Sequence, residues 1–327
     1  MFPRSPVFPH KHGQANSLFN QSLLPLGFST QRVESHMNLF DVKRVFQLSE
    51  QMLELFHACE QQNEDLDKKE SCRTQLQKDI QRLFPCSRVF LAGSSLNGFG
   101  SRTSDADLCL VVQEGPVNQQ IDAIYILSLV QTLLYKLSYI ERPQLIRAKV
   151  PILKFRDRVS GVEFDLNVNN IVGIRNTFLL RTYAYTLPEP VIPCLQKDYP
   201  ECFSPVMDIH LVPNGPRDIP PFVSTNQSSL GDLLLGFLKY YATVFRWDKY
   251  VISVREAKAV PKPNCREWKD KFICVEEPFD GSNTARAVHE KIKFDFIKEQ
   301  FIESWQVLQA RKDLNSILPL RGTRPKR

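Results

Sequence analysis

The sequence predicts an α+β protein: a small mixed-sheet α/β unit followed by a mainly helical one. Two observations carry that reading. The apolar period is helical from Met37 to Leu83, shifts to short strand-like runs after Pro85, and returns to helical spacing beyond about residue 175. The strand-like runs also alternate with an amphipathic helical stretch, the order of a compact α/β unit over about 81–175.

Residues 1–35, rich in Pro, Ser, Gln and Asn, read as a disordered leader without the apolar block of a secretory signal. Over 36–80, Leu39, Val42, Val45, Phe46, Leu48, Met52, Leu53 and Phe56 follow three-and-four spacing. This predicts a helical segment that packs on the helical unit. Gln61–Gln75 is strongly charged, a solvated face or a break, and Pro85 stops the pattern. Arg88–Ala92 and Ala106–Val112 are short apolar runs expected as buried strands, joined by the Gly/Ser-rich loop Gly93–Asp105. Gln119–Leu137 predicts an amphipathic helix, and Leu145–Phe155 and Val162–Val168 predict two further strands. Beyond Arg175, Leu187–Pro221 carries too many prolines for a regular element, whereas Leu230–Phe245 and Thr284–Leu308 read as helices. Arg321–Arg327 is a basic tail.

The composition narrows the function classes. Of 327 residues, 43% are hydrophobic and 24% charged, which excludes a wholly disordered chain. Lys+Arg 42 against Asp+Glu 36 leaves +6, enough for phosphate contacts but too little to make the whole surface a polyanion trap. The best apolar stretches, Ile124–Leu137 and Leu233–Phe245, are interrupted by Gln131, Lys136 and Lys239, so a membrane span is not expected. Eight cysteines form no C-x-x-C pair, which points to a reducing compartment, cytoplasm with the nucleus as the alternative.

Chemistry concentrates in Leu91-Ala-Gly-Ser-Ser-Leu-Asn-Gly-Phe-Gly-Ser-Arg-Thr-Ser-Asp-Ala-Asp-Leu-Cys-Leu. Asp105 and Asp107, two apart at the head of a strand, project on one side. Like charges held that close need a cation between them, and hard oxygen donors suit Mg²⁺ or Mn²⁺. A calcium loop is excluded because position 12 counted from Asp105 is Pro116. Gly93-Ser94, after a strand, offers backbone N–H groups and a hydroxyl to phosphate. Alternation in Val162–Val168 puts Glu163, Asp165 and Asn167 on one face, so Asp165 can complete a two-metal trio with Glu163 as its rival. The basic residues Arg142, Arg147, Lys149, Lys154 and Arg156 are candidates for a groove that tracks a nucleic-acid backbone.

Gly-Ser, D-x-D and a later single Asp resemble the polymerase-β-like nucleotidyltransferase superfamily. Phe164-Asp165-Leu166-Asn167-Val168-Asn169-Asn170, Ile174-Arg175-Asn176-Thr177 and Val275-Glu276-Glu277-Pro278-Phe279-Asp280 narrow the resemblance. They are similar to the cytoplasmic poly(A) polymerase and terminal uridylyltransferase branch, its germline-development type above all, over about residues 36–320. The resemblance implies a palm-like nucleotidyltransferase domain at 81–175 and a mainly helical poly(A)-polymerase-associated domain at 176–320. It also implies AMP transfer from ATP to RNA 3′ ends. By position, Gly93 and Ser94 would hold the triphosphate, and Asp105, Asp107 and Asp165 would bind two Mg²⁺ or Mn²⁺ ions. Asn176 would touch the ribose; Glu277, Asp280 and Asn283 would lie near the nucleobase. Asn176 and Asn283 are equally placed as helix caps, and Glu277 with Asp280 as a plain turn. Uridylyl members carry His where Asn283 stands, which favours ATP here. Target choice is expected from a separate RNA-binding protein.

One departure stands out. Phe178–Tyr185 runs directly into Thr186-Leu-Pro-Glu-Pro190, without the lysine-bearing apolar segment and the Ser-Tyr helix of the family. About forty residues are expected to be missing after Tyr185. Their loss removes triphosphate-neutralising lysines and a base-stacking tyrosine, so an inactive shortened form that competes for partners is the alternative to an active transferase. Uridylyl transfer is another.

Overall fold

The computed structural model describes residues 39–112, 117–118, 121–186, 194–200, 202–203 and 226–318. The expected leader, most of Leu187–Pro221 and the basic tail lie outside these residues.

Two helices open the described chain, α1 (Leu39–Cys59) and α2 (Asn63–Ile80). The break between them is capped from Gln62, whose backbone N–H donates to Asp65 Oδ2 at 3.1 Å. The two helices go different ways. α1 packs on the helical unit, whereas Cys72, Leu76 and Ile80 of α2 belong to the core beneath the sheet, so the expectation for 36–80 describes α1 alone.

The sheet comprises β1 (Arg88–Ala92), β2 (Ala106–Val111), β3 (Ile140–Ile146), β4 (Ile152–Asp157) and β5 (Glu163–Val168), in the order β1-β2-β5-β4-β3. Only β2 and β5 run parallel; β1–β2, β5–β4 and β4–β3 are antiparallel, so the sheet is mixed as expected. Period-two alternation sends Leu108, Leu110, Leu153, Phe155, Phe164, Leu166 and Val168 to one face. There they are fully buried against α4 (Asp122–Leu134) and α2. The Phe155 and Phe164 rings stack at 5.2 Å. The opposite face is left for polar residues, and that division of faces positions the site.

Several element boundaries differ from expectation. Leu145–Phe155 is not one strand but the end of β3, a break at Arg147–Pro151 and most of β4. Pro151 has no N–H for a ladder, so the run folds back as an antiparallel pair. The helix expected at Gln119–Leu137 is the shorter α4. The helix expected at Thr284–Leu308 starts only at Lys291, as α9 (Lys291–Arg311), because turns fill 284–287.

α5 (Ile171–Thr186) leads out of β5, and the short α6 (Leu195–Asp198) follows. α7 (Leu230–Lys239), capped by Ser229 Oγ accepting from the Asp232 N–H at 3.1 Å, loosens into a π turn at Tyr240–Val244. α7 and α9 pack with α1 around Leu48, Leu235, Leu238, Leu308 and Leu314. A hairpin unforeseen in the sequence, β6 (Tyr250–Ser253) with β7 (Lys258–Pro261), completes the second unit beside the one-turn α8 (Arg266–Lys269).

Candidate active site

The parallel pairing of β2 with β5 sets Asp107 opposite Asp165 and Leu108 opposite Leu166. Neighbouring strands lie about 4.8 Å apart, so the two carboxylates share one face while the leucines anchor the other. Asp105 is exposed immediately before β2, two residues from Asp107. Glu163 leans instead to Arg156, 3.9 Å away. The strand register sets Asp165, not Glu163, directly opposite Asp107.

Gly93 sits against this pair. Its backbone has φ +63°, and a Cβ there would fall 2.1 Å from Asp107 Oδ2. Only glycine allows so close a turn over the carboxylate. The turn is held from α5: the Gly93 N–H donates to Thr177 Oγ1 at 2.8 Å, and that hydroxyl donates to the Gly173 carbonyl at 2.7 Å. Thr177 was legible only as the residue after Asn176 in the Ile174–Thr177 motif; its contact with Gly93 joins positions 84 residues apart. Ser94 opens the one-turn α3 (Ser94–Asn97), whose Leu96 and Asn97 N–H groups both reach back to the Gly93 carbonyl at 3.2 Å.

The electrostatics of the site centre on Asp107. Burial first, then Asp165 and Asp105, push the Asp107 carboxyl above the ordinary aspartate value, with Lys154 and Lys69 acting against them. Lys154 Nζ holds both oxygens of Asp165, at 2.6 and 2.9 Å. Among the described residues, no three acidic, imidazole or thiol groups are clustered closely enough to hold an ion as they stand. The register places Asp165 opposite Asp107, Lys154 is seated on Asp165, and Asp105 lies two residues before Asp107. Hard oxygen donors, a raised carboxyl and an ammonium seated on the third acid together fit a divalent ion.

Gly93, Asp107, Asn176 and Thr177 line a cavity of about 230 Å³ together with Asn167 and Asn170. Ser94 faces a second cavity of about 320 Å³, beside Gln61, Ser95 and Arg181. Asn176 does not cap a helix start: its Nδ2 donates to Glu277 Oε1 at 2.6 Å, tying α5 to the helical unit.

The residues expected near the nucleobase divide. Glu277 is buried, and its second oxygen accepts from the Phe279 and Asp280 N–H groups at 2.8 and 2.6 Å. Asn283 is fully buried; its Oδ1 accepts from the Val275 and Ala285 N–H groups, and its Nδ2 donates to the Ile273 carbonyl. The polar atoms of Asn283 are engaged within its own loop, and those of Glu277 by its own turn and by Asn176. Asp280 alone stays exposed. Burial opposes its ionisation, but hydrogen bonds from Ser282 and the charge of Lys149 outweigh that and hold its carboxyl below the ordinary value. Of the expected basic groove, Lys154 and Arg156 are ion-paired within the sheet, to Asp165 and Glu141.

Comparison with known proteins bears directly on this arrangement. The family described as "Poly(A) RNA polymerase, mitochondrial-like, central palm domain" matches residues 48–185, and "Cid1 family poly A polymerase" matches 229–283. A Danio rerio protein named Poly(A) RNA polymerase GLD2 is 65% identical over 328 positions, covering 87% of this chain and 67% of its own length. The chain belongs to the GLD2 poly(A) RNA polymerase family. The Homo sapiens GLD2 is 59% identical, over 86% of this chain and 68% of that protein. A solved structure described as the GLD-2/RNP-8 complex shares the fold at a TM-score of 0.73 and 29% identity, covering 84% of this chain and 98% of that one. The match to the Danio rerio GLD2 also carries a gap: 87% of 327 residues is about 284, so about 44 of the 328 matched positions have no residue in this chain. That is the size of the segment expected to be missing after Tyr185.

Proposed function

We propose that this chain is a template-independent RNA adenylyltransferase that transfers AMP from ATP to the 3′ hydroxyl of RNA. The observation that carries the reading is Asp107 in register with Asp165, with Gly93 turned onto the Asp107 carboxylate. Asp105, Asp107 and Asp165 would hold two Mg²⁺ or Mn²⁺ ions. Bound there, such ions lower the pKa of an attacking hydroxyl and neutralise a triphosphate with its departing pyrophosphate. Gly93 and Ser94 bring the backbone close to phosphate, Asn176 reaches the ribose from α5, and Glu277 keeps Asn176 in place. Asp280 is the acidic side chain left exposed for the base edge.

The matched GLD-2 structure is a complex with RNP-8, which supports assigning target choice to a separate RNA-binding protein. No helix among the described residues is long and apolar enough to cross a membrane. The cytoplasm, with the nucleus as alternative, is the proposed site of action.

The 44 absent positions favour a second reading, a shortened form that binds partners without turnover. Extension of an oligo(A) primer with radiolabelled ATP, in Mg²⁺ and in Mn²⁺, separates the two. The adenylyltransferase reading expects products that vanish in Asp105→Ala. UTP used in preference to ATP would replace it with uridylyl transfer, and no product from either nucleotide would leave the binding form.

A further inference from the structure

Lys69 lies in the charged stretch that the sequence reads as a solvated face or a break, yet its side chain is 1% exposed. Its ammonium donates to Gln61 Oε1 at 2.7 Å and to Ser95 Oγ at 3.1 Å. Gln61 is bonded to the same loop twice more, through its N–H to the Gly100 carbonyl and its Nε2 to the Ser95 carbonyl, both at 2.9 Å. The start of α2 is thereby fastened to both ends of the segment that follows Gly93-Ser94 and runs toward Asp105.

An ammonium removed from water is unfavourable unless it is hydrogen-bonded and faces opposite charge, and an apolar side chain of similar volume packs as well. Burial pulls the Lys69 ammonium below its ordinary pKa, and the charges of Asp65, Asp107 and Asp105, two of which belong to the proposed metal trio, act against that. We propose that Lys69 is a positioning residue of the active site: a fixed counter-charge to Asp105 and Asp107 that also clamps the Gly93–Ser95 turn for the triphosphate. The proposal rests on the adenylyltransferase reading above.

Its two roles move two measurements in opposite directions. Removing the charge relieves competition with a divalent ion, so binding of that ion tightens. Removing the clamp loosens the turn, so nucleotide binding weakens. A merely structural lysine would weaken both or neither. The test measures Mn²⁺ binding to the full chain by electron paramagnetic resonance without nucleotide, and Mg·ATP binding by equilibrium dialysis; neither needs turnover. Lys69→Met and Lys69→Gln are expected to bind Mn²⁺ about tenfold more tightly, the effect of a coupling of about 1.4 kcal/mol. Lys69→Met and Ser95→Ala are expected to bind Mg·ATP about fivefold more weakly, and Ser95→Ala to leave Mn²⁺ binding unchanged. Unaltered or weaker Mn²⁺ binding in both folded Lys69 variants overturns the proposal. Should neither fold, Ser95→Ala decides, and wild-type ATP affinity there overturns it. Asp107→Asn is the control for the underlying site: undiminished Mn²⁺ binding in it would refute the metal trio itself, a result distinct from failure of the Lys69 role.

Discussion

Replacing Gly93 by alanine places a methyl group where the Asp107 carboxylate already stands. The new Cβ would fall 2.1 Å from Asp107 Oδ2 and 2.9 Å from Cγ, so the acid must swing away from the turn. The backbone adds its own penalty. Gly93 has φ 63° and ψ −148°, a region that only glycine visits freely, and holding another residue there costs about 1–3 kcal/mol. Together these give an expected destabilisation of about 2–4 kcal/mol and, because Asp107 is displaced, a loss of divalent-ion binding. Gly236→Ala is the matched comparison: the added Cβ meets nothing within 4 Å inside α7, so a gain of about 0.5–1 kcal/mol is expected. Urea unfolding followed by circular dichroism reads both variants, with Mn²⁺ titration of each. Gly93→Ala within about 0.5 kcal/mol of wild type, with unchanged Mn²⁺ affinity, would refute the claim that this glycine serves the carboxylate.

Four other outcomes are expected. Asp165→Asn removes the acid that pairs with Asp107 and holds Lys154; primer extension should fall by at least about 10²-fold, and retained extension would exclude Asp165 from the trio. In ion-free protein the raised Asp107 carboxyl contributes stability that is present below the ordinary aspartate value and lost as pH rises through its folded value. Asp107→Asn should therefore raise the melting temperature at neutral pH, with the advantage disappearing in acid and on adding Mn²⁺. Glu277→Gln leaves one acceptor oxygen where Glu277 uses two, so either the Phe279 and Asp280 N–H donors or Asn176 Nδ2 loses its partner, at a cost of about 1–3 kcal/mol by thermal unfolding. Phe178→Ala should cost about 3–5 kcal/mol in chemical denaturation, since its ring stacks on Phe203 at 5.4 Å in a buried cluster.

What the sequence made legible was whatever repeats along a strand. Val162–Val168 alternates apolar and polar residues without interruption, so β5 and the outward face of Asp165 could be read directly, and Ala106–Val112 likewise located β2. The β6–β7 hairpin could not be read, because four residues a side carry too little period. Contacts fixed by tertiary register were hidden for a different reason. Nothing local distinguishes Lys69 from Lys68, yet one helical step separates a buried ammonium from an exposed one. Lys154 read as a groove residue as one of several basic side chains near β4; only the pairing of β4 with β5 shows that it meets Asp165. Asn283 misled because the helix it was expected to precede begins eight residues later, at Lys291.

The missing positions bear on chemistry more than on folding, and the distribution of the cores shows why. The core beneath the carboxylates draws its buried members from Cys72 to Val168, all before the expected gap after Tyr185. The chain on either side of that expected gap is packed together. Phe178, Leu179 and Tyr183 before it meet Leu195 and Phe203 after it, and the Leu195 N–H donates to the Tyr183 hydroxyl at 3.0 Å. A shortened chain that closes such a cluster across its seam can keep Asp107 and Asp165 in register while lacking any cation that the absent segment brought to the triphosphate. Lys154 and Lys69 then carry a larger share of the positive charge near the site, and each is already engaged by a carboxylate or by the turn it fastens. A defect in this chain should therefore fall on nucleotide affinity and rate, with ion binding and folding retained.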